Sequence, residues 1–118
     1  MQYGKTVWIF PDAELPPEGA DLIPGHESII VTNVTDQKAK LTITLFYEQK
    51  EPVSFSSEVG ARRVRCLRTN RESDFGKYTA RIGEQYAIMV QSDVPVVAQY
   101  GRAEPRAVNF YTTPGYCE

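Results

Sequence analysis

The sequence is poor in the residues on which most metal and disulfide sites depend. Its 118 residues include one histidine and two cysteines. Cys66 and Cys117 are too few for a disulfide framework or a four-ligand zinc site, so both are expected to be free thiols in a reducing compartment. One histidine does not make a metal centre, and the acidic residues of the 11–24 loop lack EF-hand spacing. We therefore expect no metal and no cofactor.

Catalytic motifs are absent as well. The chain has no glycine-rich phosphate loop, no nucleophile elbow and no HExxH pattern. The single histidine, His26, is followed by Glu27 at the start of a predicted strand. Adjacent side chains of a strand point to opposite faces, so these two cannot both face one substrate. The sequence predicts a protein that is not an enzyme.

The chain also lacks a strong charge excess and a long hydrophobic run. Its net charge is -2 and its pI is about 5.5, which disfavours a general nucleic-acid binder. No apolar run approaches the roughly 18 residues of a membrane span. The N-terminus MQYGKTVWIF does not resemble a signal peptide. A soluble, cytoplasmic protein is predicted.

Helical periodicity is missing, and strand patterns take its place. In residues 39–48 the apolar side chains of Leu41, Ile43, Leu45 and Tyr47 alternate with polar ones, which is typical of a strand with one buried face. Residues 69–84 are polar and mixed, and they are predicted as a loop with at most one short strand. Short strands separated by turn signals predict an all-β fold, an antiparallel β-sandwich of about eight strands in one domain, 1–118. The predicted strands are 5–10, 27–34, 39–48, 53–59, 61–68, 86–92, 95–102 and 106–112.

A proline lies in the middle of what looks like one long strand, VQSDVPVVAQYGR at 90–102. Because Pro95 cannot donate a ladder hydrogen bond, it predicts two strands joined at 92–95. Gln99 then lies in register with Val97, and Arg102 ends the second strand. A polar side chain in apolar register needs a hydrogen-bond partner or a ligand. The two could bind a ligand, or they could satisfy each other or a loop.

Four arginines lie within residues 62–68. Either they mark a charged edge strand that resists pairing with other sheets, or they form a strip that binds an anion or a partner protein. The partner-binding candidates are Arg62, Arg65 and Arg68. Cys66 alternates in phase with Val64, and we expect it to be a buried structural thiol.

Several short motifs also occur in a distinctive order along nearly the whole chain. They are Trp8, Pro16-Pro17, His26-Glu27, FYEQKEP at 46–52, ARR at 61–63 with Arg68, and SDVPVVAQYGR at 92–102. Together they resemble the sensory rhodopsin transducer family. The most specific are the arginine strand and the run Asp-x-Pro-x-Val-x-Gln-x-x-Arg.

The resemblance implies a small soluble β-sandwich protein that assembles as a homotetramer. It also implies a ligand-binding role, with a carbohydrate or a related metabolite such as a sugar acid as the ligand. The pocket residues implied in this way are Trp8, His26, Glu27, Arg63, Gln99 and Arg102.

Three functions are compatible with these features. The first is a non-enzymatic ligand-binding and signal-transducing module. The second is a cytoplasmic adaptor that relays the signal of a membrane photoreceptor, a sensory rhodopsin, or docks another regulator through the arginine strand. The third is a weak nucleic-acid-binding regulator, which the net charge disfavours.

Overall fold

The fold consists of antiparallel strands in two layers. A computed structural model describes residues 2–20, 22–105, 109–113 and 115–118, with residues 109–113 described by their backbone pairing. These residues form strands β1 Lys5–Glu14, β2 His26–Asn33, β3 Ala39–Tyr47, β4 Val53–Val59, β5 Arg63–Arg68, β6 Gln85–Glu104, β7 Asn109–Thr113 and β8 Tyr116–Cys117. A short helix, α1 Glu72–Phe75, continues into a 3-10 turn at Gly76–Tyr78. The predicted all-β antiparallel sandwich is confirmed. No helix of the described residues is long and apolar enough to cross a membrane.

Strand β6 belongs to both layers. Its first half pairs with β3 and β1, in a layer ordered β4-β3-β6-β1-β8. Its second half pairs with β2 and β7, and β2 in turn pairs with β5. A strand that changes sheets in this way forms the corner of a β-sandwich. The two layers are therefore joined along β6 and enclose one hydrophobic core.

Period-two alternation correctly identified the buried face of β3. Leu41, Ile43 and Leu45 are at most 2% exposed, whereas Lys40 and Phe46 lie on the outer face. Burying one such aliphatic side chain contributes roughly 1.5–3 kcal/mol. The predicted strand 53–59 matches β4 residue for residue, and its alternation is also observed.

The two strands predicted around Pro95 are one continuous strand of 20 residues, so that prediction is wrong. The pairing of β6 with β3 ends at Ser92, and its pairing with β2 begins at Val97. Between these points the carboxylate of Asp93 accepts a hydrogen bond from the backbone N–H of Lys40, at 2.8 Å. Because the ladder partners change at this corner, a residue without an N–H is tolerated there.

The predicted burial of two side chains is also wrong. Cys66 is exposed, and so is its face-mate Val64, at 63%. Gln99 and Val97 likewise lie on the outer face, while Val96, Ala98, Tyr100 and Arg102 face the core. Alternation shows which residues share a face, but here both faces carry apolar residues, so it did not show which face is buried.

Other differences concern the ends of elements. The loop predicted at 69–84 contains α1 and the 3-10 turn, and β1 continues past Pro11 to Glu14. The predicted strand 106–112 begins outside the described residues, and β7 covers 109–113. Strand β8 was not predicted.

Gly4 allows β1 to approach the corner of β6, and its substitution tests that close approach. Gly4 has φ +89°, and a Cβ there would lie 2.5 Å from the carbonyl oxygen of Val96. Gly83 has a similar φ of +80°, but a Cβ there meets nothing within 4 Å. We expect Gly83→Ala to lower the free energy of unfolding by about 1–2 kcal/mol through backbone strain alone. Gly4→Ala should cost clearly more in urea denaturation, and equal losses would contradict the close approach.

Candidate functional site

The most unusual polar side chain of the core is the carboxylate of Glu27. It lies near the start of β2, on the face that also carries Ile29 and Val31, and it is fully buried. A buried carboxylate is costly unless hydrogen bonds satisfy its oxygens. Its environment is therefore the natural starting point for a site.

Three hydroxyl groups donate hydrogen bonds to this carboxylate. Thr69, just after β5, donates to Oε1 at 2.8 Å, and Tyr86 donates to the same oxygen. Tyr100 donates to Oε2. Tyr86 lies in the β3-pairing half of β6 and Tyr100 in the β2-pairing half, so one carboxylate connects both layers.

The two tyrosines are held in their protonated form. Burial is the main cause that raises the pKa of Tyr86 and of Tyr100, and the adjacent charge and hydrogen bonds of Glu27 raise both further. A neutral phenol can donate its proton in a hydrogen bond, whereas a phenolate cannot. The cluster therefore keeps its three donors throughout the physiological pH range.

Arg102 brings a buried positive charge to the same region. It is paired in register with Glu27 across β2 and β6, and it is 9% exposed. Its Nη1 donates to the backbone oxygen of Glu14 at 3.1 Å and lies 4.0 Å from the carboxylate of Glu14. These contacts tie the end of β1 to β6.

Trp8 and His26 have hydrogen-bond partners outside the Glu27 cluster. The indole of Trp8 is buried, and its Nε1 donates to the backbone oxygens of Lys5 and Val96 at 3.2 and 3.0 Å. His26 is half-buried, and its Nδ1 donates to the Pro24 oxygen at 2.7 Å.

Arg63 and Gln99 also fail to converge on the Glu27 cluster. Arg63 is exposed at the far end of β2, opposite Asn33, and Gln99 faces outward. Of the six predicted residues, the structure brings Glu27 and Arg102 together, with His26 next to them on β2. The ligand-binding role of the six stays a prediction.

Sequence reasoning missed the tyrosines and Thr69, although one signal was available. Glu27 is in period-two register with Ile29 and Val31, so an acid on the apolar face was visible in the sequence. Such an acid requires donors. Which donors it meets depends on β6 crossing between the layers, and no local pattern reveals that.

An open groove of about 440 Å³ is lined in part by Gly25 and Asn70, which are close in sequence to Glu27 and Thr69 of the cluster. Its walls are fixed by backbone hydrogen bonds from Gly25 to Glu18, at 2.8 Å, and from Gly83 to Leu15, at 2.9 Å. Among the residues that the structure describes, no group of three or more His, Cys, Asp or Glu side chains could hold a metal ion. The groove is lined by Leu15, Pro16, Glu18, Gly25, Asn70, Ala80, Arg81 and Ile82.

The arginines of 62–68 gather around the β5 side of the sandwich. Arg62 sits in the preceding turn with φ 54°, and its guanidinium lies 3.4 Å from the Asp36 carboxylate. Both side chains are largely exposed, so this pair contributes little to stability. Arg63 donates to the backbone oxygen of Arg62 at 3.1 Å.

Asp74 of α1 holds the other end of β5. Its carboxylate accepts the backbone N–H of Arg68 at 2.9 Å and lies 3.5 Å from Nη2 of Arg65. Nη1 of Arg65 donates to the backbone oxygen of Glu58 on β4, at 2.9 Å. Arg65 thus links the outermost strands of the two layers.

The tyrosine pKa values predict how stability depends on pH. Because the folded-state pKa of Tyr86 and of Tyr100 lies above the unfolded value of about 10, their contribution is complete below pH 10 and is lost as pH rises above it. Tyr100→Phe should destabilise the protein by about 1.5–3 kcal/mol at pH 8 by removing a hydrogen bond to a charged group. It should also reduce the loss of stability above pH 10 by up to about 1.4 kcal/mol per pH unit. Urea denaturation at pH 8 and at about pH 11 measures both, and an unchanged slope would contradict the neutral-phenol cluster.

Known proteins share this fold and are related to this chain in sequence. The family model described as Anabaena sensory rhodopsin transducer matches residues 3–116. The crystal structure of Thermotoga maritima 1070 is 31% identical with a TM-score of 0.84, over 99% of this chain and 97% of that one. The Anabaena sensory rhodopsin transducer is also 31% identical, with a TM-score of 0.73 over 85% of this chain and 89% of that one. No curated protein matches the chain. The chain belongs to the Anabaena sensory rhodopsin transducer family.

Proposed function

We propose that this protein is a non-catalytic, cytoplasmic signal transducer that binds a membrane sensory rhodopsin. The observation that carries the proposal is the family match over residues 3–116, together with the likeness to a solved transducer over 85% of the chain. Of the hypotheses drawn from the sequence, this adaptor role has more support than sugar binding. It requires a surface that recognises another protein, and it requires no reacting group.

The chemistry of the described residues agrees with a binding role. The carboxylate of Glu27 is engaged by three donors and has no exposure to solvent, so it acts as an internal tie between the layers. Among the arginines of 62–68, in contrast, Arg62 and Arg63 are exposed at one edge of the sandwich, and Arg65 and Arg68 are half-buried there. Arginine is well suited to binding carboxylates of a partner because its planar fork makes paired hydrogen bonds.

Charge reversal on β5 tests this function. Arg63→Glu/Arg65→Glu should reduce the recovery of the protein on a sensory rhodopsin held in nanodiscs by about tenfold or more at low salt, because it replaces attraction by repulsion. The matched control is Lys5→Glu/Lys40→Glu, which makes the same change of charge at exposed sites away from β5. We expect the wild type to be a homotetramer. Light scattering should show that both variants keep the same assembly. Equal recovery of the wild type and both variants would overturn docking through the arginine strand.

A second candidate function is the binding of a small polar ligand, such as a sugar or sugar acid, and the groove is the observation in its favour. The lining of the groove combines three polar residues, Asn70, Arg81 and Glu18, with apolar ones such as Leu15 and Ile82. Ligand sites commonly combine an apolar lining with a few polar groups of this kind. This candidate uses a different set of residues from the six predicted from the sequence.

A thermal-shift screen of sugars, sugar acids and phosphates tests the second candidate. We expect a ligand that raises the melting temperature of the wild type and loses this effect in Asn70→Ala/Arg81→Ala. Gln99→Ala serves as the control, because Gln99 lies on the outer face of β6. No hit, or a hit that the Asn70 and Arg81 substitutions leave unchanged, would rule out the groove as the binding site.

A further inference from the structure

Strand β5 has one side without a neighbouring strand. It pairs with β2 along its whole length, and within the described part of the chain no strand pairs with its other side. An unpaired side of a strand presents backbone N–H and C=O groups that can pair with an added strand. The backbone groups and side chains along this edge determine which kind of strand could pair with it.

The backbone groups on the open side can be assigned from the pairing. The backbone N–H of Thr69 donates to the backbone oxygen of Glu27 on β2, at 3.3 Å. The backbone N–H of Arg68 donates instead to the carboxylate of Asp74, away from β2. Successive residues of an edge strand alternate between the two sides. The N–H and C=O groups of Val64 and Cys66 therefore point away from β2, towards the open side.

Both ends of this open edge are closed by local structure. At the C-terminal end, the carboxylate of Asp74 on α1 accepts the hydrogen bond of the Arg68 N–H, so this N–H cannot pair with an added strand. At the N-terminal end, Arg62 turns the chain away with a positive φ. The edge available to a partner is thus the short stretch 63–67, with two outward-pointing peptide groups that can make about four hydrogen bonds.

The side chains beside the edge have opposite characters on its two faces. Val64, at 63% exposed, and Cys66 lie on the outer face of the sheet. Arg63 and Arg65 lie on the other face, towards β4, where Arg65 contacts the backbone of Glu58. An added strand would place its side chains alternately against an apolar surface and against guanidinium groups.

We propose that the open edge of β5 binds an extended segment of a partner protein in which acidic residues alternate with apolar ones. This inference rests on the proposed function, since the partner is the protein that the transducer binds. The segment joins the sheet next to β5, its peptide groups pair with those of Val64 and Cys66, and its acidic side chains contact Arg63 and Arg65. The arginines select the segment, and the backbone fixes its register.

Charge complementarity favours such a segment over a second copy of this chain. Two β5 strands placed edge to edge would bring arginines against arginines, and like charges opposite each other destabilise a strand pair. Charge complementarity also disfavours the short cytoplasmic loops of a membrane protein as the bound segment, because these loops carry an excess of lysine and arginine. An acidic tail or linker fits the edge better.

Binding of a labelled peptide tests the inference with the full chain. The probe is a peptide of about seven residues, the length of an ordinary strand, in which valine alternates with glutamate. We expect saturable binding that weakens with salt and weakens about tenfold or more in Arg63→Glu/Arg65→Glu. Peptides that alternate valine with lysine, or that contain valine and glutamate in scrambled order, are the controls and should not bind.

A proline substitution separates strand addition from simple attraction of charge. Val64→Pro removes one outward N–H without removing a bond to β2, and it should abolish binding, whereas Val64→Ala should retain most of it. Circular dichroism confirms that both variants are folded. In the wild type, hydrogen exchange followed by NMR should show the amides of Val64 and Cys66 becoming protected on peptide binding.

Each contrary outcome has a defined meaning. Equal binding of the scrambled peptide, or binding without protection of the Val64 and Cys66 amides, overturns strand addition. Protection of these amides in the absence of peptide, together with self-association that Val64→Pro disrupts, assigns the edge to a second copy and also overturns it. If the peptide does not bind while rhodopsin recovery still depends on Arg63 and Arg65, this inference fails and the proposed function stands. If the peptide binds as expected but rhodopsin is not recovered, the edge is retained and the proposed function fails.

Discussion

The structure depends on one buried carboxylate. Glu27 is removed from water, and the hydrogen bonds from three hydroxyl donors compensate for that loss. Removing a partner from such a site leaves a buried charge unsatisfied, which is far more costly than losing an exposed ion pair such as Arg62–Asp36. Because the donors come from both halves of β6 and from the segment after β5, the carboxylate sets the relative position of the two layers at this end of the sandwich.

The β5 edge of the sandwich differs from this interior in its exposure to solvent and in its charge. Of the arginines of β5, Arg63 is exposed and Arg65 and Arg68 are half-buried, and the partners of Arg63 and Arg65 are backbone oxygens and the carboxylate of Asp74. The outer face beside them carries Val64, Ile30 and Val97, which are exposed apolar side chains. A buried interior with satisfied hydrogen bonds and an edge with exposed arginines and apolar side chains agree with the transducer function proposed above.

Local sequence patterns predicted most of the fold, because period-two alternation is a local property. Residues 53–59 are a strand as predicted, and the buried face of β3 follows from Leu41, Ile43 and Leu45. The same rule failed for Cys66 and Gln99. Which face of their strands is buried depends on what packs against each face, and alternation alone does not show this. The Glu27 cluster was half visible: the acid stood in apolar register, but Tyr86 and Tyr100 are 59 and 73 residues away along the chain. Pro95 was recognised as a corner, although the strand continues through it.

Strand β6 also has a consequence for the order in which the chain can assemble on the ribosome. It lies between partners drawn from much of the sequence, β1, β2 and β3 before it and β7 after it. When β1 to β5 have been synthesised, only the pairings of β3 with β4 and of β2 with β5 can form. Neither layer can be completed, nor Glu27 satisfied, until residues 85–104 emerge. The nascent chain therefore exposes two separate strand pairs, with their apolar faces and the carboxylate of Glu27, until the strand that joins them is made.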